Sequence, residues 1–283
     1  MMRTISCTVG ILTFNSATTL RRALVSVQDF KDIVICDGGS TDTTLDIAKE
    51  FGARIIEQHG RYKNPDNTLK DYGGVRNQCL DAAEYDWFLY IDSDETISDG
   101  LREDIRTITT SPTGSFVYRV PIGILLNGRY LTYSSNYPGY QFRFFNRTSN
   151  ARFVREVHER ITFDSAKVIV RTLAHPWYVH TTPEYWDQYI SETDSYRPIE
   201  VARSCAEPFT FHGYFYGTVW WHLRASAAVA FRASRNYVLH GFSEAVPVRG
   251  EWGRFLAPLL LIRKVTICRL REVFKFLTTS GTR

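Results

Sequence analysis

Three short apolar runs alternate with two helix-length segments before residue 58. Ile5 to Thr13 (ISCTVGILT) is β-rich, Ile33 to Cys36 is a compact apolar run, and Ala53 to Glu57 is a third. Between the first two, Leu20, Ala23, Leu24 and Val27 recur at helical spacing, behind Asn15 or Ser16 as the capping residue. A second helix, with Asp42 as its N-terminal cap, runs to about Phe51. Strand-helix-strand units of this length close by right-handed crossovers, so this part of the chain makes a parallel sheet. Such sheets bind ligands beyond the carboxyl ends of their strands. Asn15, Asp37 and the acids at 92–94 all follow strand ends and should share one rim.

The rim acids are the second constraint. Asp86-Trp-Phe-Leu-Tyr-Ile-Asp-Ser-Asp-Glu95 is a short aromatic strand that ends in three carboxylates. Burying unpaired anions is too costly for such a cluster to exist without a counter-charge. A hard divalent cation that keeps some waters and shares phosphate oxygens with a substrate fits that need. The competing reading is a solvated turn in which Asp92 and Asp94 cap a helix beginning near Ser98.

Downstream, a polar loop over residues 58–71 precedes a helix from Tyr72 to Glu84 that carries Arg76 and Asn77. A helix from about Asp99 to Ile108 leads to Phe116–Val120, Tyr130–Tyr133 and Gln141–Asn146, an antiparallel extension of the sheet. Then come Val157-His158-Glu159, the Ala174–His180 run, and an acidic helix from Thr182 to Arg197. The character changes after Phe215. Residues 224–283 hold 11 Lys and Arg against 3 Asp and Glu, whereas the preceding part is net acidic. After Pro258 a second helix is expected, with Leu259, Ile262, Leu270, Val273 and Leu277 on one face and Lys264, Arg271 and Lys275 opposite. That pattern suits a helix lying on an anionic membrane surface, or one packed on the protein's own core. No uncharged apolar run reaches the length of a membrane span, and no signal peptide is expected at the N-terminus. The five scattered cysteines read as reduced structural thiols in a cytosol. A net acidic sheet-bearing part argues against a nucleic-acid partner.

Thr13-Phe14-Asn15, Asp37-Gly38-Gly39-Ser40-Thr41-Asp42, Arg76-Asn77 and Asp92-Ser93-Asp94, in this order, resemble the family 2 glycosyltransferases. The Val157-His158-Glu159 block resembles the branch that builds lipopolysaccharide core and other surface glycans. The resemblance implies a GT-A fold, α/β and Rossmann-like, with a mixed, mainly parallel sheet flanked by helices. Residues 1–214 would be the catalytic domain and 215–283 a basic amphipathic helical extension. It implies a nucleotide-diphosphate sugar as donor, with Thr13, Asn15 and Asp37 in the donor site, Asp37 on the nucleobase, and Arg76 at the diphosphate. Asp92 and Asp94 would hold Mg2+ or Mn2+, with His180 a further candidate for the metal shell. Where many relatives carry two acids, this chain has Asp37-Gly38, which leaves the donor nucleotide open.

An inverting displacement needs one base for the acceptor hydroxyl, and Glu159 and His158 are the candidates. Tyr137, Tyr140 and Trp177 could stack on acceptor sugars or pack in the core. The expected acceptor is a glycan or lipid-linked glycan, met at the cytoplasmic face of the cell membrane. The alternatives are a sugar nucleotidyltransferase, although the Gly-rich basic loop such enzymes carry after the first strand is replaced here by Thr13–Ala17, and a non-catalytic sugar-nucleotide-binding protein.

Overall fold

A computed structural model describes residues 4–66, 68–110, 114, 116–136, 139–156, 159–182, 198, 200–206 and 208–280, with side chains as far as 271. The chain divides into two compact units, Met1–Leu125 with Pro138–His180, and Leu126–Tyr137 with Thr181–Arg283.

The first unit begins as the alternation requires: β1 (Ile5–Thr13), α1 (Ala17–Ser26), β2 (Phe30–Asp37), α2 (Thr44–Glu50) and β3 (Arg54–Glu57). Next come α3 (Tyr72–Asp81), β4 (Trp87–Asp92), β5 (Glu95–Ile97) and α4 (Asp99–Thr110). The remaining strands are β6 (Phe116–Leu126), β7 (Arg129–Leu131), β8 (Tyr140–Asn146), β9 (Arg152–Val154), β10 (Arg160–Thr162), β11 (Ile169–Thr172) and β12 (Trp177–Thr181). The sheet runs β3-β2-β1-β4-β8-β6-β12-β5. Its first four strands are parallel, and register sets Thr13 opposite Asp37 and Leu12 opposite Asp92. Three strand ends therefore finish level. The expected antiparallel extension follows, with β8 pairing β4 and β6 in that sense.

Both faces of the sheet are covered, which explains why its strands read as continuous apolar runs. In β4, Trp87, Leu89 and Ile91 enter one core cluster while Phe88 and Tyr90 enter the other. The helix expected near Ser98 is there, but a short strand, β5, separates it from Asp92 and Asp94, so those acids do not cap it. The helix that follows is capped by Ser98, whose hydroxyl accepts from the Leu101 amide at 3.1 Å. The expected caps at the first two helices also change. Ser16 is the N-cap residue of α1 but its side chain makes no capping bond; Asp42 accepts from the Ala17 amide at 3.1 Å and from the Thr44 amide at 3.0 Å, so one carboxylate serves both helix starts. The N-cap residue of α2 is Thr43.

The start of α3 approaches other backbone closely. A Cβ on Gly73 would lie 2.5 Å from the Arg155 carbonyl oxygen, so only glycine fits there. One turn on, the Asn77 amide donates to the Phe153 carbonyl at 2.8 Å and accepts from the Phe153 amide at 3.0 Å, mimicking a strand partner for β9. The Tyr72 amide donates to the Glu156 carbonyl at 2.9 Å. These contacts fix the chain that leads toward Glu159.

In the second unit a π-wound segment, Gly213–Trp220, continues into α5 (Trp221–His240), and α6 covers Val248–Ser280. The expected helix start after Pro258 is corrected: α6 begins ten residues earlier and runs through that proline. The Pro258 ring lacks the amide that would bond the Arg254 carbonyl, yet the flanking turns continue. Leu259 and Ile262 are half-buried and Leu270 is exposed, while Val273, Lys275 and Leu277 lie outside the described side chains. The acidic helix expected over 182–197 falls almost wholly outside the described residues. Cys7, Cys36 and Cys79 are buried free thiols, but Cys205 and Cys268, also expected to be free, pair as a disulfide with Cα atoms 6.8 Å apart. That pairing joins residues 63 apart, which spacing in the sequence did not reveal.

Asn77→Ala should destabilise the fold by about 1–3 kcal/mol, because it strands a part-buried amide and carbonyl of Phe153. Urea unfolding followed by circular dichroism measures this; a change below a few tenths would show that the clamp carries no weight.

Candidate active site

The ends of β1 and β2 build one wall of the site. Asp37 is buried and accepts four hydrogen bonds, from the hydroxyls of Thr13 (2.8 Å) and Ser40 (2.6 Å) and from the amides of Gly39 and Ser40 (both 2.8 Å). Burial pushes its carboxyl up, but the donors, led by Ser40, outweigh burial and hold it below the usual carboxylate range. Asn15, in the left-handed region at φ 49°, accepts from the Thr41 amide at 2.8 Å and donates its own amide to the Ser40 hydroxyl at 2.8 Å. Thr13, Asn15 and Asp37 therefore belong to one network that shapes the turn after β2.

Gly38 occupies the place where the family resemblance leads one to expect a second acid. A Cβ there would lie 3.1 Å from Phe14 Cδ2 and 3.2 Å from Gln58 Oε1, and the Gly38 carbonyl accepts from Lys63 Nζ at 2.8 Å. Phe14 itself stands 59% exposed beside this turn. Sequence alone assigns Phe14 no role beyond its motif and leaves Lys63 in a polar loop, because the turn that brings Lys63 to the Gly38 carbonyl is non-local.

Arg76 links the rest. It is buried, and the acids that flank it in sequence are engaged elsewhere, Asp71 capping the Gly74 amide and Asp81 pairing with Arg152. The guanidinium instead bonds Asp92 Oδ1 from Nη2 at 2.6 Å and pairs from Nε with Glu159 Oε1. It also lies over the Tyr90 ring, 4.6 Å from the centroid. Glu159 and Asp92, 67 positions apart, are thus held by one cation. Burial raises the Asp92 carboxyl, but Arg76 and then Arg143 more than offset it and bring it below its ordinary value. Asp94 behaves oppositely: partial burial of its carboxyl and then the negative charge of Asp92 push it up, although the residue is exposed at the rim.

A second buried cation lies beneath the acidic turn, and sequence reading missed it. Arg143 of β8 donates to both Glu95 oxygens, at 2.6 and 3.0 Å, and Glu95 Oε2 also accepts from the Asp92 amide at 2.8 Å. The Arg143 guanidinium is sandwiched between the Tyr90 ring at 4.5 Å and the Trp177 ring at 3.8 Å. Trp177 is therefore core, not an acceptor platform, while Tyr140 is exposed. Burial pushes the Glu95 carboxyl up, with Arg143 pulling against it. The third acid of the sequence cluster faces inward and fixes the backbone on which Asp92 is mounted. The signal for it was an arginine inside an aromatic strand, Tyr140–Asn146, which a buried partner must neutralise.

Arg143 and Glu95 compensate one another, which leaves one buried guanidinium, Arg76, paired with the carboxylates of Asp92 and Glu159. Among the described residues no side chain bonds the Asp94 carboxylate or the second Asp92 oxygen, so this pair is free to share a cation. Among the same residues no three His, Cys, Asp or Glu side chains form a group able to hold a metal alone. His180 bonds the Thr96 hydroxyl at 2.8 Å from Nε2, and burial, then the Arg22 charge, lower its pKa to about 4. His158 and Tyr137 lie outside the described residues.

The glycosyl transferase family 2 model matches residues 8–169, more than half of the chain. The chain belongs to this family. An uncharacterized glycosyltransferase of Rickettsia prowazekii is 31% identical over 121 residues, 42% of this chain and 38% of that relative. Glycosyltransferase SunS of the Bacillus subtilis prophage SPbeta is 32% identical over 96 residues, 34% of this chain and 21% of SunS. The matches thus span two-fifths or less of these curated relatives. Among solved structures, residues 1–349 of S. aureus TarS in complex with UDP-GlcNAc align over 92% of this chain and 82% of that one, at 17% identity and a TM-score of 0.44.

Two outcomes follow for this family 2 site. Arg143→Met should cost about 3–5 kcal/mol by leaving Glu95 buried and unpaired, and Arg143→Met with Glu95→Gln should recover part of that in urea unfolding. His180 has a folded-state pKa below its unfolded value, so stability should fall as pH drops from 6.5 toward 4, where only the unfolded chain takes the proton. His180→Gln should flatten this part of a melting-temperature profile; an unchanged slope would assign it to other groups.

Proposed function

We propose that the protein is an inverting glycosyltransferase that moves a sugar from a nucleoside-diphosphate donor to a hydroxyl of a glycan or lipid-linked glycan. The observation that carries this is the shared cation: Arg76 pairs at once with Asp92, a candidate ligand, and Glu159, the candidate base. The parts that a single in-line displacement needs are brought within one guanidinium of each other.

In this reading the donor lies along the rim formed by β1, β2 and β4. The exposed ring of Phe14 offers a stacking face for the nucleobase beside the Asp37 turn. Asp37, with its acceptor sites filled by its own turn, supports the base site through the backbone it shapes. Asp94 and the free oxygen of Asp92 would hold Mg2+ or Mn2+ together with diphosphate oxygens. Such an ion, when bound, neutralises the charge that builds on the departing diphosphate. The acceptor oxygen attacks the anomeric carbon as the bond to the diphosphate oxygen breaks, and that oxygen leaves with the electron pair. Glu159 takes the acceptor proton. Arg76 keeps the Glu159 carboxylate aimed and acts on the diphosphate through Asp92 rather than by direct contact.

His180, a neutral imidazole at pH 7, orients the adjoining strand through Thr96. A role in surface-glycan or lipopolysaccharide synthesis follows from the Val157-His158-Glu159 block, and residues 215–283 would bring the enzyme to the inner membrane face as a peripheral protein. Among the described residues no helix is long and apolar enough to cross a membrane.

A panel of nucleotide sugars, UDP-linked ones first, assayed for nucleoside diphosphate release with Mn2+, Mg2+ or EDTA, tests this. Asp94→Ala should stay folded and lose metal-dependent release. Glu159→Gln should keep nucleoside diphosphate affinity while losing about 10²–10⁴-fold in transfer. Full turnover in either variant would remove that residue's role, and binding without turnover for every donor would favour a sugar-nucleotide-binding protein.

A further inference from the structure

The second unit is built inside out for a body in water. Seen from Trp220, residues Phe231 and Val238 lie three and five helical turns along α5, on one stripe, and are 53%, 70% and 84% exposed. Leu223 borders the same stripe and is exposed too. The opposite face, turned inward, carries Ser226, Ala233 and Asn236, each at most 7% exposed. The inward groups are bonded, Ser226 to the Phe255 carbonyl at 2.9 Å and Asn236 to the Ser134 carbonyl at 3.1 Å, so the helix is correctly seated and not merely rotated. Before α5, Phe211 and Phe215 stack at 5.9 Å and are both exposed.

Among the described residues the buried apolar side chains of this unit are few and mostly small: Leu131, Ala233, Ala245, Val246 and Val265. An apolar surface so much larger than its core marks a surface that is covered in use. Charge selects the cover. Residues 224–283 hold 11 Lys and Arg against 3 Asp and Glu, and Arg224 and Arg235 are exposed along one edge of the stripe. A second copy of the same face would bring like charge against like, whereas an anionic phospholipid surface brings the opposite sign. Trp221, 62% exposed, and the two arginines lie beside the apolar stripe, which suits the boundary between headgroups and acyl chains.

We propose that α5 lies in the interface of an anionic phospholipid bilayer, with Trp220, Leu223, Phe231 and Val238 among the acyl chains and Arg224 and Arg235 at the phosphates. This deepens the membrane partner named above and moves it to α5, since the apolar face expected on α6 is half-buried at Leu259 and Ile262 and exposed only at Leu270 among its described side chains. It does not depend on the transfer chemistry.

Full-length protein is sedimented with phosphatidylcholine vesicles, with and without phosphatidylglycerol, at low and high salt. The expected result is binding that requires phosphatidylglycerol, weakens with salt, and lets brominated acyl chains quench tryptophan fluorescence. That quenching should fall when Trp220 and Trp221 are replaced by Phe. Phe231→Glu with Val238→Glu should weaken binding by about tenfold or more while nucleoside diphosphate release in solution is unchanged. Arg224→Gln with Arg235→Gln, which leaves the apolar stripe intact, should remove the lipid-charge dependence. Protein that stays in the supernatant with both vesicles, glutamate variants that bind like the parent, or a stable dimer broken by Phe231→Glu would each overturn the proposal. Vesicle binding without donor turnover would sink the transferase reading and leave this one standing.

Discussion

A guanidinium removed from water sets the geometry of this site. Arg76 is buried, and an unpaired cation there would be costly, so carboxylates must come to it. Asp92 arrives from the end of β4 and Glu159 from the segment after β9, so residues distant in sequence meet because one charge needs both. Arg143 repeats the device one layer down, with Glu95 as its counter-ion. The two guanidiniums both lie over the Tyr90 ring, at 4.6 and 4.5 Å from its centroid, so one aromatic side chain helps seat both cations.

That arrangement rests on backbone chemistry at the start of α3. Gly73 lets the Arg155 carbonyl approach where a side chain would block it, and Asn77 holds β9 by both amide groups. The strand ends supply the other wall: register leaves Thr13 opposite Asp37 and Leu12 opposite Asp92, so the turn network and the acidic turn open on one rim. The acidic turn is held from behind as well, since Glu95 accepts the Asp92 amide. What remains exposed is Asp94, the acid whose proton affinity its neighbour raises.

Much of this was legible in the sequence wherever local pattern decides structure. The first strand keeps its expected limits, Ile5 to Thr13, because an apolar β-branched run covered on both faces has little choice. Asp92 and Asp94 could be singled out because three carboxylates at the end of an aromatic strand need an explanation. Arg143 offers only the signal of a cation inside an aromatic strand, because its partner Glu95 lies 48 positions away on a strand that does not pair with its own. Arg76 belongs at the diphosphate by the family resemblance, but nothing local in the sequence places it beside Asp92 and Glu159, which come from other elements. Asp42 was read as the cap of one helix and serves two, since the α1 amide that it accepts lies 25 positions upstream. Pro258 was read as a helix start because proline usually ends or begins a helix, and α6 runs through it. In α5 the apolar residues kept helical period, but period alone does not say which face is turned inward.

The most direct measurement is a double-mutant cycle on Arg76→Met and Glu159→Gln, read both as unfolding free energy and as affinity for a nucleoside diphosphate with Mn2+. A shared buried cation predicts coupling of about 1.5–3 kcal/mol in stability, and a loss of affinity in Arg76→Met that Glu159→Gln does not add to. Strictly additive effects on stability would mean that the two side chains act independently, and the site built around Arg76 would not stand.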